Sequence, residues 1–240
     1  MITPTKETAY HKAMMIRILS VFFDDRIIAH AFAFKGGSCA SMAGFLDRIS
    51  VDLDFDLLEK KKKKTIEERM IKILINLNFA IKKQSKKELF FVVKYQSIYP
   101  RNSLKISIVD KIPKSNQYQP LFLPDLNRFI PCQTVETMFT NKLVAITDRY
   151  HQYHQVAARD LYDIHHFFSK GFDFSKEVIE ERTKMDWQKY FKILIEFIPK
   201  KFNQKIIDED LNFLLLPEKF RTVRKTLITE TLIFLNSCLK

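Results

Sequence analysis

Residues 52 to 56 read Asp-Leu-Asp-Phe-Asp, and this alternation is the strongest constraint that the chain places on its own fold. With Val51 in front, acidic and apolar residues change places at every step. An extended strand gives that period a meaning: Asp52, Asp54 and Asp56 share one face, and Val51, Leu53 and Phe55 the other. Such a strand has one face in a core and the other lining something polar. A second constraint lies just upstream. The whole chain has four glycines, and two stand side by side in Lys35-Gly36-Gly37-Ser38. The apolar run Ala29 to Phe34 before them reads as a short strand, and Ser38 to Phe45 after them as one or two helical turns. Paired glycines at such a junction let the backbone approach a bound group closely. The helix start then offers unpaired N–H groups to an anion such as phosphate.

Clustered carboxylates repel one another unless a cation sits among them, and Mg²⁺ prefers such oxygens together with substrate phosphates. A phosphate cradle beside a metal-binding acid pair is the equipment for phosphoryl or nucleotidyl transfer. In order, Gly36-Gly37-Ser38, a short helix, then Arg48-x-Ser50-x-Asp52-x-Asp54 resembles the nucleotidyltransferase signature of the polymerase-β superfamily. The variant here looks like the AbiEii family, also called AbiEii/AbiGii or MenT-like toxins of bacterial toxin–antitoxin systems. Thirteen residues separate Ser38 from Asp52, the longer spacing of that family. A second block matches too: Glu136, Lys142-Leu143, Ala145 and Arg149, then Arg159-Asp160-Leu161-Tyr162-Asp163-Ile164. The resemblance covers roughly residues 30 to 167.

What the resemblance implies can be stated residue by residue. Asp52 and Asp54 are the expected metal ligands, for Mg²⁺ or alternatively Mn²⁺, and Asp56 would extend the cluster beyond the family's pair. Gly36, Gly37, Ser38 and Ser50 are the expected nucleotide-binding residues, with Gly37 and Ser38 on the triphosphate and Gly36 allowing the turn. Lys142, on a helix over 134–149 with Arg149 seven residues on, is expected to place a compact positive charge on the leaving phosphates. Asp160 is the preferred third carboxylate or base. Asp110, at the end of the strand 103–109 whose middle carries Ser107, is the other candidate. Arg48 could contact a phosphate or be structural, while Arg159 and Asp163 would give the helix an active-site role or lock it to the sheet.

The likeness implies transfer of a nucleoside monophosphate from a nucleoside triphosphate onto RNA, with the 3′ end of tRNA as favoured acceptor. It also implies a cognate antitoxin protein. Two alternatives stand beside it: a small-molecule nucleotidyltransferase of the antibiotic-modifying kind, and a degenerate, non-enzymatic protein that binds nucleotide, RNA or a partner.

The rest of the chain bounds these readings. A formal charge of +12 creates a field that attracts polyanions, in keeping with nucleotide or RNA. Lys60 to Lys64 is either a solvated loop or an RNA-backbone contact. Cys39, Cys132 and Cys238 are odd in number and widely spaced, which argues for reduced thiols in a cytoplasmic protein. Met1 to Glu7 lacks a signal-peptide pattern, and no run approaches the ~18 apolar residues of a membrane span. His151/His154 and His165/His166 lack Cys or acidic partners at zinc-site spacing. No Gly-x-x-x-x-Gly-Lys loop, Gly-x-Ser-x-Gly elbow or Cys/His nucleophile pattern occurs, so ATPase, hydrolase and cysteine-enzyme readings lose support.

The expected fold is α+β: a polymerase-β-like domain over 1–125, a mixed twisted sheet with helices, then a helical bundle over 126–240. Helices are expected at 5–24, 65–83, 134–149, 157–169, 175–184, 186–198 and 209–238, the last broken near Pro217. Strands are expected at 29–34, 50–58, 89–97 and 103–109, and the proline-rich stretch 113–133 reads as the connection between the halves.

Overall fold

The computed structural model describes residues 5–85 and 88–240, so the first four residues of the segment read for a leader lie outside it. Among the described residues a seven-stranded mixed sheet runs in the order β3-β4-β5-β2-β1-β7-β6. Its centre is β1 (Phe32–Lys35) antiparallel to β2 (Leu53–Leu57), with β5 (Ser103–Val109) parallel to β2 on one side. On the other side β7 (Arg128–Gln133) runs parallel to β1. β4 (Leu89–Lys94) and β3 (Ala80–Gln84) close one edge, and β6 (Tyr118–Leu123) the other.

The alternation in β2 does what its period requires. Leu53, Phe55 and Leu57 are buried, and the Phe55 ring meets Phe22, Phe23, Phe32 and Phe34. Phe22 and Phe23 come from α1 (Lys6–Asp24), whose start is capped by Thr5 Oγ1 accepting the Thr8 N–H. α4 (Lys63–Asn76) packs with α1 and buries Ile66, Met70 and Leu74. The opposite face of β2 carries the acids.

Local chemistry moved three boundaries. Ahead of β1, the apolar residues from Ile27 to Ala31 belong to α2 (Arg26–Ala31), because Asp25 accepts both the Ile27 and Ile28 N–H groups as a helix cap. The helix expected to reach residue 83 ends at Asn76, and Asn78 takes a left-handed φ of 61° that turns the chain into β3. The stretch expected as a connection holds the β6–β7 hairpin. Pro120 stands opposite Pro131 there, so the missing N–H donors are confined to one rung, beside the open edge of the sheet. The sheet therefore extends to Gln133, and the division drawn at 125/126 falls in the turn between two paired strands.

Six helices follow: α5 (Val135–Tyr153), α6 (Ala158–Ser169), α7 (Lys176–Thr183), α8 (Trp187–Lys201), α9 (Gln204–Leu211) and α10 (Pro217–Ser237). α9 and α10 part just before Pro217, which takes the first position of α10 as proline prefers. α6 is buried along nearly its whole length, between α5, α9 and α10. No helix among the described residues is long and apolar enough to cross a membrane.

Candidate active site

The polar face of the central strands opens into a cavity of about 650 Å³. Its sheet side is lined by Lys35, Gly36, Asp54, Asp56 and Gln133, and its helical side by Lys142, Arg149, Asp160 and Arg182. Residues from both halves of the expected motif thus meet across one cavity, as a shared site requires. Lys60, the first of the five lysines, and Lys111 stand at its mouth, both exposed.

The two glycines open α3 (Gly36–Met42) and serve different purposes. Gly36 has φ +76°, and a Cβ there would stand 3.0 Å from Asp54 Oδ2. Its missing side chain is the space that the Asp54 carboxylate occupies. Gly37 packs instead against Arg48, where a Cβ would come within 2.8 Å of Nη2. Ser38 is buried, and its hydroxyl donates to the Asp52 carbonyl while lying 2.9 Å from Ser50 Oγ. Ser38 and Ser50 therefore brace the turn on the acid strand rather than pointing into the large cavity. With Arg48, Thr8 and Lys12 they line a second, smaller cavity of about 120 Å³ behind the turn.

The acids divide by their partners. Asp56 is 1% exposed, and its Oδ1 lies 2.6 Å from Lys35 Nζ. Its Oδ2 accepts from Gln133 Nε2 at 2.7 Å, Tyr118 OH at 2.8 Å and Asn116 Nδ2 at 3.4 Å. Asp163 is fully buried in a two-pronged pair with Arg48 (2.5 Å to Nε, 2.7 Å to Nη2). Asp160 receives Lys142 Nζ at 2.8 Å on one oxygen and Arg149 Nη2 at 3.0 Å on the other. Asp110 pairs with Lys63 at 2.6 Å, at the end of β5 and outside the cavity lining. Among the described residues, the side chains of Asp52 and Asp54 alone of these acids accept no hydrogen bond and form no ion pair.

The electrostatics follow this division. Burial pushes the Asp54 carboxyl above its ordinary range and neighbouring Asp52 adds to the effect, while Lys35, Lys142 and Arg159 pull the other way. Burial also opposes ionisation of Asp160, but the charges of Lys142 and Arg149 outweigh it and hold that group well below the carboxylate range. Lys142 resists burial in the same manner, raised by Asp160 and Asp163. Lys142 is thus a fixed cation, gripped by two carboxylates (2.8 Å to Asp160, 3.0 Å to Asp163) and facing the cavity.

Two unpartnered carboxylates, one of them held above its ordinary range partly by the other's charge, are a donor set suited to a hard divalent cation, because such a cation relieves the repulsion. Asp160, expected as the third carboxylate, has both oxygens taken by cations, and Asp110 stands elsewhere. Among the described residues no group of three or more His, Cys, Asp or Glu is arranged to hold a metal. The position beside Asp54 on β5 is Ser107. His165 pairs with Glu230 at 2.6 Å, and His166 lies 3.2 Å from Asp47. The sequence reading gave no role to Lys35, Asn116, Tyr118, Gln133 or Arg182. Of these only Lys35 carried a signal, its place directly before the glycine pair.

A search of curated proteins found no match. Among solved structures the chain is similar to a candidate nucleotidyltransferase from H. pylori, with TM-score 0.63 and 19% identity over 98% of this chain and 96% of that one. It is also similar to JHP933 from Helicobacter pylori (TM-score 0.61, 18% identity, 98% and 94% covered). An antigenic nucleotidyltransferase-like protein from Paracoccidioides brasiliensis is more distant (TM-score 0.51, 13% identity, 86% and 94% covered). At these identities the likeness concerns the fold. The profile of the nucleotidyl transferase AbiEii toxins, a type IV toxin–antitoxin system, matches residues 17–231. The chain belongs to this AbiEii family and is a nucleotidyltransferase.

Proposed function

We propose that the protein moves a nucleoside monophosphate from a nucleoside triphosphate onto the 3′ end of RNA, with tRNA in the cytoplasm as acceptor, and so blocks translation. The observation that carries this reading is the unpartnered acid pair, with Asp54 facing Lys142 across the cavity. Asp52 and Asp54 would hold Mg²⁺, which when bound supplies charge to the phosphate oxygens as they react. The acceptor hydroxyl attacks the α-phosphorus in line and gives up its proton to solvent; the new P–O bond forms as the bond to pyrophosphate breaks, and pyrophosphate leaves. Lys142 places its ammonium where the leaving group gains charge. Asp160 and Asp163 act through Lys142 by fixing it, and Arg48 ties Asp163 to the loop that leads into the acid strand. Gly36 gives Asp54 its space. Lys60 and Lys111 at the mouth offer charge to an incoming RNA backbone. In this reading α5 to α10 form one helical bundle that supplies the second wall. A cognate antitoxin would hold the activity in check.

The test is incubation of purified protein with total tRNA, Mg²⁺ and each labelled nucleoside triphosphate in turn. Label in the tRNA band is the expected outcome. Label in a small molecule instead would move the acceptor to the antibiotic-type class, and absence of label everywhere would remove the transfer itself.

A further inference from the structure

Lys35 ends β1, directly before Gly36, and stands in register opposite Asp54 on the neighbouring strand. Its side chain is 21% exposed and lines the large cavity. Among the described residues its one partner is Asp56, at 2.6 Å. An ammonium group has three donors, so two directions are left for another acceptor. Asp56 is itself held rigidly, since Gln133 and Tyr118 from the β6–β7 hairpin donate to its other oxygen at 2.7 and 2.8 Å. A carboxylate fixed from that side fixes the ammonium in turn. The result is a cation on the sheet side of the cavity, next to Asp54 and across from Lys142.

We propose that Lys35 contacts a phosphate of the donor nucleotide, with Asp56 as the positioning residue that aims it. The inference rests on the nucleotide-transfer reading and adds a second phosphate-binding cation to it. A phosphoryl group seated at Asp54 then has an ammonium on either side, one from the sheet and one from α5. A lysine needed only to neutralise Asp56 would not have to face the cavity.

The test measures binding of a non-hydrolysable nucleoside triphosphate analogue with Mg²⁺, and of the matching nucleoside, by calorimetry. Lys35→Met alone strands the buried Asp56 charge, so the informative variant is Lys35→Met with Asp56→Asn, which removes both charges together. In the folded double variant, triphosphate affinity is expected to fall about tenfold or more, the worth of a lost hydrogen bond to a charged group, with nucleoside affinity unchanged. A second measurement needs no variant: bound triphosphate should shield Lys35 of the wild-type protein from acetylation, and nucleoside should not. Triphosphate binding by the double variant within threefold of wild type, or equal acetylation of Lys35 with and without triphosphate, would overturn the inference and leave the transfer reading intact. Wild-type protein that binds no triphosphate at all would overturn both.

Discussion

Arg48 and Asp163 lie 115 positions apart and join as a buried, two-pronged ion pair, with side chains 4% and 0% exposed. Taking one charge from such a pair leaves the other in a poorly solvating interior, at a cost of about 3–5 kcal/mol. The two single variants should differ within that range. After Arg48→Met, Asp163 still has Lys142 at 3.0 Å, so the loss belongs near the low end. After Asp163→Leu, the Arg48 guanidinium retains, among the described residues, its contact to the Ile49 carbonyl at 2.9 Å, and Lys142 loses one of its two anchors. That variant belongs near the high end. For a chain of this size ~1 kcal/mol corresponds to about 2–4 °C in Tm, so the shifts should span about 6–20 °C. The double variant Arg48→Met/Asp163→Leu has no stranded charge and should cost less than the sum of the singles by at least ~2 kcal/mol. Urea denaturation followed by circular dichroism measures all four proteins. Single variants that lose less than ~1 kcal/mol, or a double variant equal to the sum, would refute the argument that the halves are joined by a desolvated pair.

Asp52→Ala and Asp54→Ala should each reduce transfer to background and weaken Mg²⁺-dependent triphosphate binding, with little change in Tm; normal turnover in either variant sinks the metal assignment. Lys142→Ala should lower kcat by about 10² to 10³, and an unchanged kcat would make Lys142 a purely structural cation. That variant also releases Asp160 and Asp163, so a melting measurement belongs beside the kinetics. Glu181 accepts from the Lys114 N–H, the Ser115 N–H and the Ser115 hydroxyl at 2.7–2.8 Å, and these bonds hold its carboxyl down to about 2 from an ordinary 4.5. A depressed folded pKa stabilises the protein fully above 4.5 and fades as pH falls through about 2. The Tm gap between wild type and Glu181→Gln should therefore narrow over that window, and a gap independent of pH would be the wrong answer.

The sequence made the acid strand legible because period two on a half-buried strand admits one reading, and Leu53, Phe55 and Leu57 are indeed buried. Most helices from 135 onward were equally open, and several caps are written in the chain: Thr134, Ser175 and Asp186 each accept first-turn N–H groups, whereas α9, capped by Asn203, lies mostly ahead of the helix expected at 209–238. β3 was hidden because Leu77, Phe79 and Ile81 prolong an apolar pattern that only the left-handed Asn78 interrupts. β6 and β7 were hidden by their prolines, which argue against strands until the partner is known. The partners of the acids could not be read at all. Asp54 and Asp56 look alike in sequence, yet one is unpaired and the other is held by four neighbours, three of them donated by residues 116 to 133. Likewise the match at Asp160 marked a helix that lines the cavity without revealing that two cations occupy its carboxylate.

The parallel pairing of β1 with β7 sets a clock on the making of this enzyme. Phe34 and Cys132 are about a hundred residues apart in the chain but neighbours in the sheet. At ~5–20 residues per second, a ribosome needs about 5–20 s to deliver the second after the first. Throughout that interval β1 has an open side, Asp56 lacks Gln133 and for most of it Tyr118 too, and the helix bearing Lys142 has not yet been made. The acid pair is thus synthesised well before the residues that come to surround it. A nascent chain therefore remains catalytically incomplete until the helical wall of its cavity has been made.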